Sequence, residues 1–170
     1  MNSAIDRLLT RYDEGRITRR ELLATLSALT VGASAAQAAE PAIGAVSQLN
    51  HVTMFVKDVQ KSMAFYQRLF AMPLLTPQEP GMNLKAGAGF LGIYPSQDRP
   101  AGINHVCLGI ERFDADRVLA QLKSEGLEAN IRLRGDTKEL YFNDPDGIRV
   151  QLQDVRYIGG VGVLGDRPPK

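Results

Sequence analysis

Cysteine is nearly absent from this chain, which excludes several chemistries at once. Cys107 is the only one, so no intramolecular disulfide and no CxxC metal or redox motif can form. Histidine is almost as scarce, with only His51 and His105. There is no long basic run. Lys+Arg total 20 against 19 Asp+Glu, and from Glu40 onward the counts are 15 and 15. That balance gives nucleic acid little electrostatic attraction, so it is not expected as a partner. Also missing is a strongly apolar run of about 20 residues, which a membrane-spanning helix requires. What remains is an ordinary globular composition, 44% hydrophobic and 23% charged. Beyond the N-terminal stretch, about 130 residues are enough for one domain with its own core.

The N-terminal stretch reads as an export signal over residues 1–39. Thr18-Arg19-Arg20-Glu21-Leu22-Leu23 opens an uncharged segment rich in Ala, Leu, Ser and Thr, and Ala36-Gln37-Ala38 is a small-x-small cleavage site. The paired arginines, the long polar lead and the mild hydrophobicity resemble the twin-arginine type. The expectation is a periplasmic or secreted protein, with no stable membrane insertion once the signal is removed.

Both histidines sit in the same tripeptide, Asn50-His51-Val52 and Asn104-His105-Val106, 54 residues apart. Each copy lies in a strand pattern, Leu49–Val56 and Ile103–Ile110. Each strand leads to an aspartate able to cap a helix, Asp58 and Asp114. In the first helix Val59, Met63, Tyr66 and Phe70 fall on one face. The second carries Val118, Leu119 and Leu122 and stops at Gly126, with Phe113 and Val118 spaced as a hydrophobic staple. Three short strands follow each helix. They are predicted at Pro73–Thr76, Met82–Ala86 and Phe90–Tyr94, then at Glu128–Arg134, Glu139–Phe142 and Ile148–Gln153. The turn Asp144-Pro145-Asp146-Gly147 separates the last two. Two βαβββ modules are expected, at 46–96 and 101–154, followed by an irregular tail over 155–170.

Alternation along a strand assigns the faces. Val52, Met54 and Val56, and likewise Val106, Leu108 and Ile110, belong against the helices. His51, Thr53 and Phe55 take the other face, as do His105, Cys107 and Gly109. Phe90, Gly92 and Tyr94, and Arg149, Gln151 and Gln153, join that pocket side. Gly87 to Gly92 matches G-x-G-x-x-G, but no helix follows it, so it is not a dinucleotide site. Arg132, Arg134 and Arg149 are expected on a solvated strand face. Cys107 is expected to be a small buried filler.

The paired N-H-V strands, the helix Asp58-Val59-Gln60-Lys61-Ser62-Met63-Ala64-Phe65-Tyr66 and the closing Tyr141-Phe142-Asn143-Asp144-Pro145-Asp146-Gly147 resemble the vicinal-oxygen-chelate superfamily. That is the glyoxalase, bleomycin-resistance and extradiol-dioxygenase group. The resemblance covers Val46 to Asp154. It implies an α+β fold in which two tandem modules form a cup-shaped mixed sheet with the helices outside. It also implies a divalent metal (Fe, Mn, Ni, Co or Zn) on His51, His105 and Gln151. The fourth ligand position falls on Gly92, which has no side chain to offer, and Gln151 stands where glyoxalase-like members carry a glutamate. Tyr141 and Glu139 are the candidates for positioning or protonating a substrate. The implied function is a lyase, isomerase or dioxygenase-type enzyme acting on a small oxygenated molecule. The alternative is a metal-free small-ligand-binding protein of the bleomycin-resistance kind. A homodimer is compatible with either, and the pattern leaves open whether one chain closes its own cup.

Overall fold

The computed structural model describes residues 4–34 and 43–167. The chain divides into two compact units, Met1–Glu40 and Pro41–Lys170. The first contains α1 (Ala4–Asp13) and α2 (Arg19–Ser34). A capping box starts α2: Thr18 Oγ1 accepts from Glu21 N at 3.2 Å, and Glu21 Oε2 accepts from Thr18 N at 2.8 Å. The paired arginines therefore form the first helical turn, and the polar lead before them is itself helical. The Ala36-Gln37-Ala38 site lies outside the described residues. No helix among the described residues is long and apolar enough to cross a membrane.

The second unit runs β1 (Val46–Val56), α3 (Val59–Phe70), β2 (Leu74–Gln78), β3 (Gly81–Ala86), β4 (Gly89–Pro95), β5 (Gly102–Ile110), α4 (Ala115–Ser124), β6 (Ala129–Arg134), β7 (Thr137–Asn143) and β8 (Arg149–Asp154). All eight predicted strands form, with ends displaced by up to three residues. They make one eight-stranded sheet in the order β2-β3-β4-β1-β5-β8-β7-β6. Each half is β-α-β-β-β, and the two halves are mirrored about β1 and β5, which pair antiparallel. Within each half the first and last strands pair parallel, β1 with β4 and β5 with β8. The result is a curled half-barrel of mixed α+β class, closed within one chain.

Local signals place the helices where the sequence predicts them. Asp58 accepts from Lys61 N at 2.9 Å, and Asp114 accepts from Arg117 N at 3.0 Å. At the end of α4 Gly126 takes φ 79°. There Leu127 N donates to Leu122 O and Gly126 N to Lys123 O, both at 3.0 Å. This is a Schellman closure, which needs a left-handed residue at that position. Val118 and Leu122 pack with Ile110, Leu140, Val150 and Leu152, and Phe113 lies against the same cluster. Val59, Met63 and Tyr66 cover Val56, Leu84 and Ile93. Phe70, expected on that face, is instead exposed. It sits in the last turn of α3, with its ring 6.3 Å from that of Tyr66. Of the G-x-G-x-x-G segment, Gly87 (φ 60°) and Ala88 form the tight β3–β4 turn and the rest opens β4.

The segment after β8 is irregular in backbone but is not a loose tail. Tyr157 is buried. Asn50 Nδ2 donates to Tyr157 O at 3.1 Å, Thr76 Oγ1 to Ile158 O at 2.8 Å, and Asn83 Nδ2 to Gly159 O at 3.3 Å. Gln78 Nε2 also donates to Gly159 O. The chain leaving module two thus crosses back to β1, β2 and β3 of module one.

Candidate metal and ligand site

The pocket-side residues converge as the alternation requires. Register across the sheet gives two rungs. One runs Phe90, His51, Cys107, Gln151, Tyr141, and the next begins Asn83, Gly92, Thr53, His105. They floor a cup of about 370 Å³ whose walls include His51, His105, Gln151, Tyr141, Glu139 and Arg149. That volume lies within the range of small-molecule sites. Cys107, in the first rung, is fully buried, and burial pushes its thiol well up. It fills space, as the sequence suggests.

The two imidazoles meet. His51 Nε2 lies 3.2 Å from His105 Nε2, with both rings buried. Phe90 stacks on His51 at 4.2 Å between centroids, and Tyr141 meets His105 edge-on at 5.4 Å. Their outer nitrogens are engaged: His51 Nδ1 contacts Asn50 Oδ1 at 2.9 Å, and His105 Nδ1 contacts Asn104 Oδ1 at 2.7 Å.

Independent neighbours fix both amides. Asn50 Nδ2 donates to the backbone oxygens of Val155 at 3.2 Å and Tyr157 at 3.1 Å, and those oxygens can only accept. Asn104 Oδ1 accepts from Arg149 Nη1 at 3.3 Å, and a guanidinium can only donate. The atom facing each Nδ1 is therefore an oxygen, each Nδ1 carries the hydrogen, and two bare Nε2 lone pairs are crowded into one space. Such a pair repels unless a cation lies between them. A metal bound by two imidazoles at about 2.0–2.1 Å holds their nitrogens roughly 2.8–3.4 Å apart, from octahedral to tetrahedral angles. The observed spacing fits that requirement. The asparagines occupy the place of the groups that fix ring and tautomer in metal-bound histidines.

Both imidazoles are held neutral. Burial lowers His51 well below the usual histidine value, assisted by the charge of His105. Burial, then Arg149, lowers His105 to about 4. The Gln151 amide acts on both rings in the opposite sense. Gln151 is itself buried, and its Nε2 has no hydrogen-bond partner among the described residues. At Gly92 no ligand exists. A Cβ there would come within 2.9 Å of Thr53 Oγ1 and 3.2 Å of Asn83 Oδ1. No group of three or more His, Cys, Asp or Glu is placed to hold a metal among the described residues. The available donor set is two imidazoles and one amide.

Glu139 and Tyr141 share the cup wall, and Tyr141 Oη donates to Glu139 Oε2 at 3.1 Å. Glu139 also receives Arg134 Nε at 2.7 Å and the Tyr157 hydroxyl at 3.4 Å. Its buried carboxylate is surrounded by donors. Burial first, then Glu139, pushes the Tyr141 phenol up, so it stays neutral. Of the arginines expected on a solvated face, Arg132 is exposed there, its side chain 58% accessible, whereas Arg134 and Arg149 are half-buried. Arg99, Arg132, Arg134 and Arg149 all line the cup, where the only opposing carboxylates are Glu79 and Glu139. The antiparallel pairing of β6 with β7 sets Arg132 opposite Glu139, while Arg149 lies over the Tyr141 ring at 4.0 Å.

Sequence reasoning missed Asn50, Asn104, Asn83, Arg99 and Tyr157. Asn50 and Asn104 were visible as the constant residue before each histidine, whereas nothing in the sequence marks Asn83. The tail carries no repeat or periodicity, so nothing in it marks Tyr157.

A family model described as "Glyoxalase/Bleomycin resistance protein/Dioxygenase superfamily" matches residues 48–152. Among curated proteins, the metallothiol transferase FosB of Lysinibacillus sphaericus is 28% identical over 130 residues, spanning 72% of this chain and 87% of that protein. The fosfomycin resistance protein FosX of Listeria innocua is 27% identical over 120 residues, spanning 63% and 89%. Among solved structures, methylmalonyl-CoA epimerase from Mycobacterium tuberculosis superposes with TM-score 0.54 at 18% identity, covering 64% of this chain and 88% of that one. The 2,3-dioxygenase LapB from Pseudomonas sp. KL28 gives TM-score 0.57 at 16% identity, covering 66% and 42%. At such identities the superpositions show the fold alone. With the family model matching well over half of the chain, this protein is a member of the glyoxalase/bleomycin resistance protein/dioxygenase superfamily.

Proposed function

We propose that the protein is an enzyme that acts on a small, oxygen-bearing anion at a divalent metal held by His51, His105 and Gln151. The observation that carries this reading is the pair of bare Nε2 atoms 3.2 Å apart, each ring fixed in the metal-binding tautomer by its own asparagine. When bound, a divalent ion supplies Lewis acidity toward a substrate oxygen. Relatives whose names describe metallothiol transfer support the reading. The reaction is of lyase, isomerase, transferase or dioxygenase type.

The other side chains support binding and orientation. The cup carries four arginines against two glutamates, which favours an anionic ligand. Arg134 is committed to Glu139 and Gln78 and Arg132 lies 3.8 Å from Glu139, which leaves Arg99 and the guanidinium donors of Arg149 beyond its bond to Asn104 as the first to meet the anion. Tyr141, neutral and in contact with His105, positions the substrate. Glu139 anchors this wall: its oxygens already receive Arg134, Tyr141 and Tyr157, which suits a fixed negative charge better than proton transfer.

The test is elemental analysis after loading with Fe(II), Mn(II), Ni(II), Co(II) or Zn(II) and dialysis. About one ion per chain is expected, and none in a His51→Ala/His105→Ala double variant. Gln151→Glu adds a charge to the site and should tighten binding. A wild-type protein that retains no ion from any of the five loadings contradicts the proposal.

One observation favours a second reading. The donor set has no carboxylate, and Gly92 leaves the fourth position empty of side chain. A metal-free binding protein with the same basic cup would take its anionic ligand equally well in the presence of a chelator.

Residues 1–39 fit this picture as a twin-arginine-type export signal, with the folded cup released into the periplasm or medium. Cell fractionation of the full chain tests this: the Arg19→Lys/Arg20→Lys variant should stay in the cytoplasm.

A further inference from the structure

The segment after β8 lies along the sheet as a strap, and buried side chains grip it by its backbone. Asn50 of β1 donates to Val155 O and Tyr157 O, and Thr76 of β2 donates to Ile158 O. Gln78 of β2 and Asn83 of β3 donate to Gly159 O, and Thr137 of β7 donates to Gly162 O. All five donors are buried, and they come from both modules. Within the strap, Ile158 N donates to Leu164 O at 3.1 Å and Gly160 N to Gly165 O at 2.7 Å.

One of these grips governs a histidine. Asn50 can present Oδ1 to His51 Nδ1 only while its Nδ2 faces the strap. Turning the amide over would set Oδ1 against two backbone oxygens, all of them acceptors without a donor. The docked strap therefore forbids the turn. Once it undocks, that cost is gone. Asn50 Nδ2 can then donate to His51 Nδ1, which moves the ring's hydrogen to Nε2. His51 Nε2 then donates to the bare Nε2 of His105, 3.2 Å away. A repulsion becomes a hydrogen bond, so the metal-free pair gains by the change. His105 keeps its tautomer throughout, because Arg149 Nη1 holds Asn104 Oδ1 at 3.3 Å within module two.

We infer that the strap, residues 155–162, is a positioning element for the site. Docked, its Val155 and Tyr157 oxygens hold His51 in the metal-binding tautomer. Undocked, it lets the two imidazoles bond to each other and closes the site to a metal. The control is one-sided, acting on His51 and not on His105. The inference deepens the reading of the site given above and rests on its tautomers, but it requires no metal to be present.

The test uses the full chain labelled with nitrogen-15 histidine, metal-free and at neutral pH. Gly159→Val lifts the strap: Gly159 has φ 89°, and a Cβ there would fall 2.2 Å from Asn83 Nδ2. Thr76→Val/Thr137→Val removes two hydrogen bonds to the strap without adding bulk, and decides if Gly159→Val does not fold. Hydrogen exchange at the Ile158 and Gly160 amides follows the opening. In an open variant His51 should carry its hydrogen on Nε2 while His105 keeps its own on Nδ1. Zn(II) should then bind about tenfold more weakly, by chelator competition. Tyr157→Phe, which keeps both backbone oxygens, should leave both rings as in the wild type. The inference is overturned if the strap opens and His51 keeps its Nδ1 hydrogen, or if both rings change together. It is equally overturned if neither variant opens the strap, or if Tyr157→Phe switches His51. A wild-type ring with its hydrogen on Nε2 would instead refute the tautomers themselves. A chain that switches His51 as described yet retains no metal would refute the metal centre and leave the role of the strap standing.

Discussion

An imidazole that donates its Nδ1 hydrogen to an amide oxygen has only the Nε2 lone pair left to offer, and in this cup that holds for His51 and His105 together. Asn104 is the cleaner of the two supports to remove, because Asn50 also holds the tail. Asn104→Leu should weaken metal affinity by about 10- to 100-fold, the usual effect of losing such a support, read by competition with a chromogenic chelator. The same burial makes the metal-free protein sensitive to acid. The unfolded chain protonates its histidines near the ordinary 6.5, whereas folded His105 does so only at about 4 and burial holds folded His51 well below its ordinary value too. Between those limits the unfolded chain binds more protons, so acid favours unfolding. Stability should be fully present above pH 6.5 and fall as pH drops toward 4, with His105 accounting for about 3 kcal/mol. Urea denaturation in chelator across that range checks this, and His105→Asn should flatten the slope. The histidines were legible in the sequence as matched repeat positions. Their protonation pattern was not, because it depends on Val155, Tyr157 and Arg149, which only the fold brings near.

At the scale of elements, the strands and caps were the most readable part of the chain. Alternation in β1, β4, β5 and β8 assigned the concave face correctly, because one face of each strand is apolar and the other is not. The caps at Asp58 and Asp114 and the stop at Gly126 are local chemistry and need no tertiary information. Gly126 has open space around it but a φ of 79°. Gly126→Ala is therefore expected to cost about 1 kcal/mol from backbone conformation alone, and Gly126→Asn less, by thermal or urea unfolding. Arg134 of β6 and Arg149 of β8 were misread because charge on a strand usually means solvent, as it does for Arg132. Here the concave face is polar too, and Glu139 on β7 draws Arg134 inward. Phe70 was misread because periodicity gives the direction of a side chain but not the end of the surface it packs on.

At the scale of the whole molecule, the antiparallel β1–β5 pairing brings both imidazoles to one floor within a single chain, a point the repeat alone left open. Metal stoichiometry should therefore stay at one per chain on dilution, whatever assembly the protein forms. The two halves are also tied by the segment after β8, whose Tyr157 ring lies 5.8 Å from His51 and 6.0 Å from Phe90. Tyr157→Ala should destabilise the protein by about 3–5 kcal/mol, as loss of a buried aromatic does. Tyr157→Phe, which gives up only the bond to Glu139, should cost about 1 kcal/mol. Urea unfolding of the pair separates packing from hydrogen bonding.

Nitrogen-15 NMR of histidine-labelled full chain, without a histidine tag, tests the central claim most directly, because only two imidazoles contribute. In the metal-free protein at neutral pH, both rings should report hydrogen on Nδ1 and a bare Nε2. On adding one equivalent of Zn(II), both Nε2 resonances should move together while both Nδ1 hydrogens remain. Rings that carry their hydrogen on Nε2, or Nε2 resonances unmoved by the metal, would contradict the account.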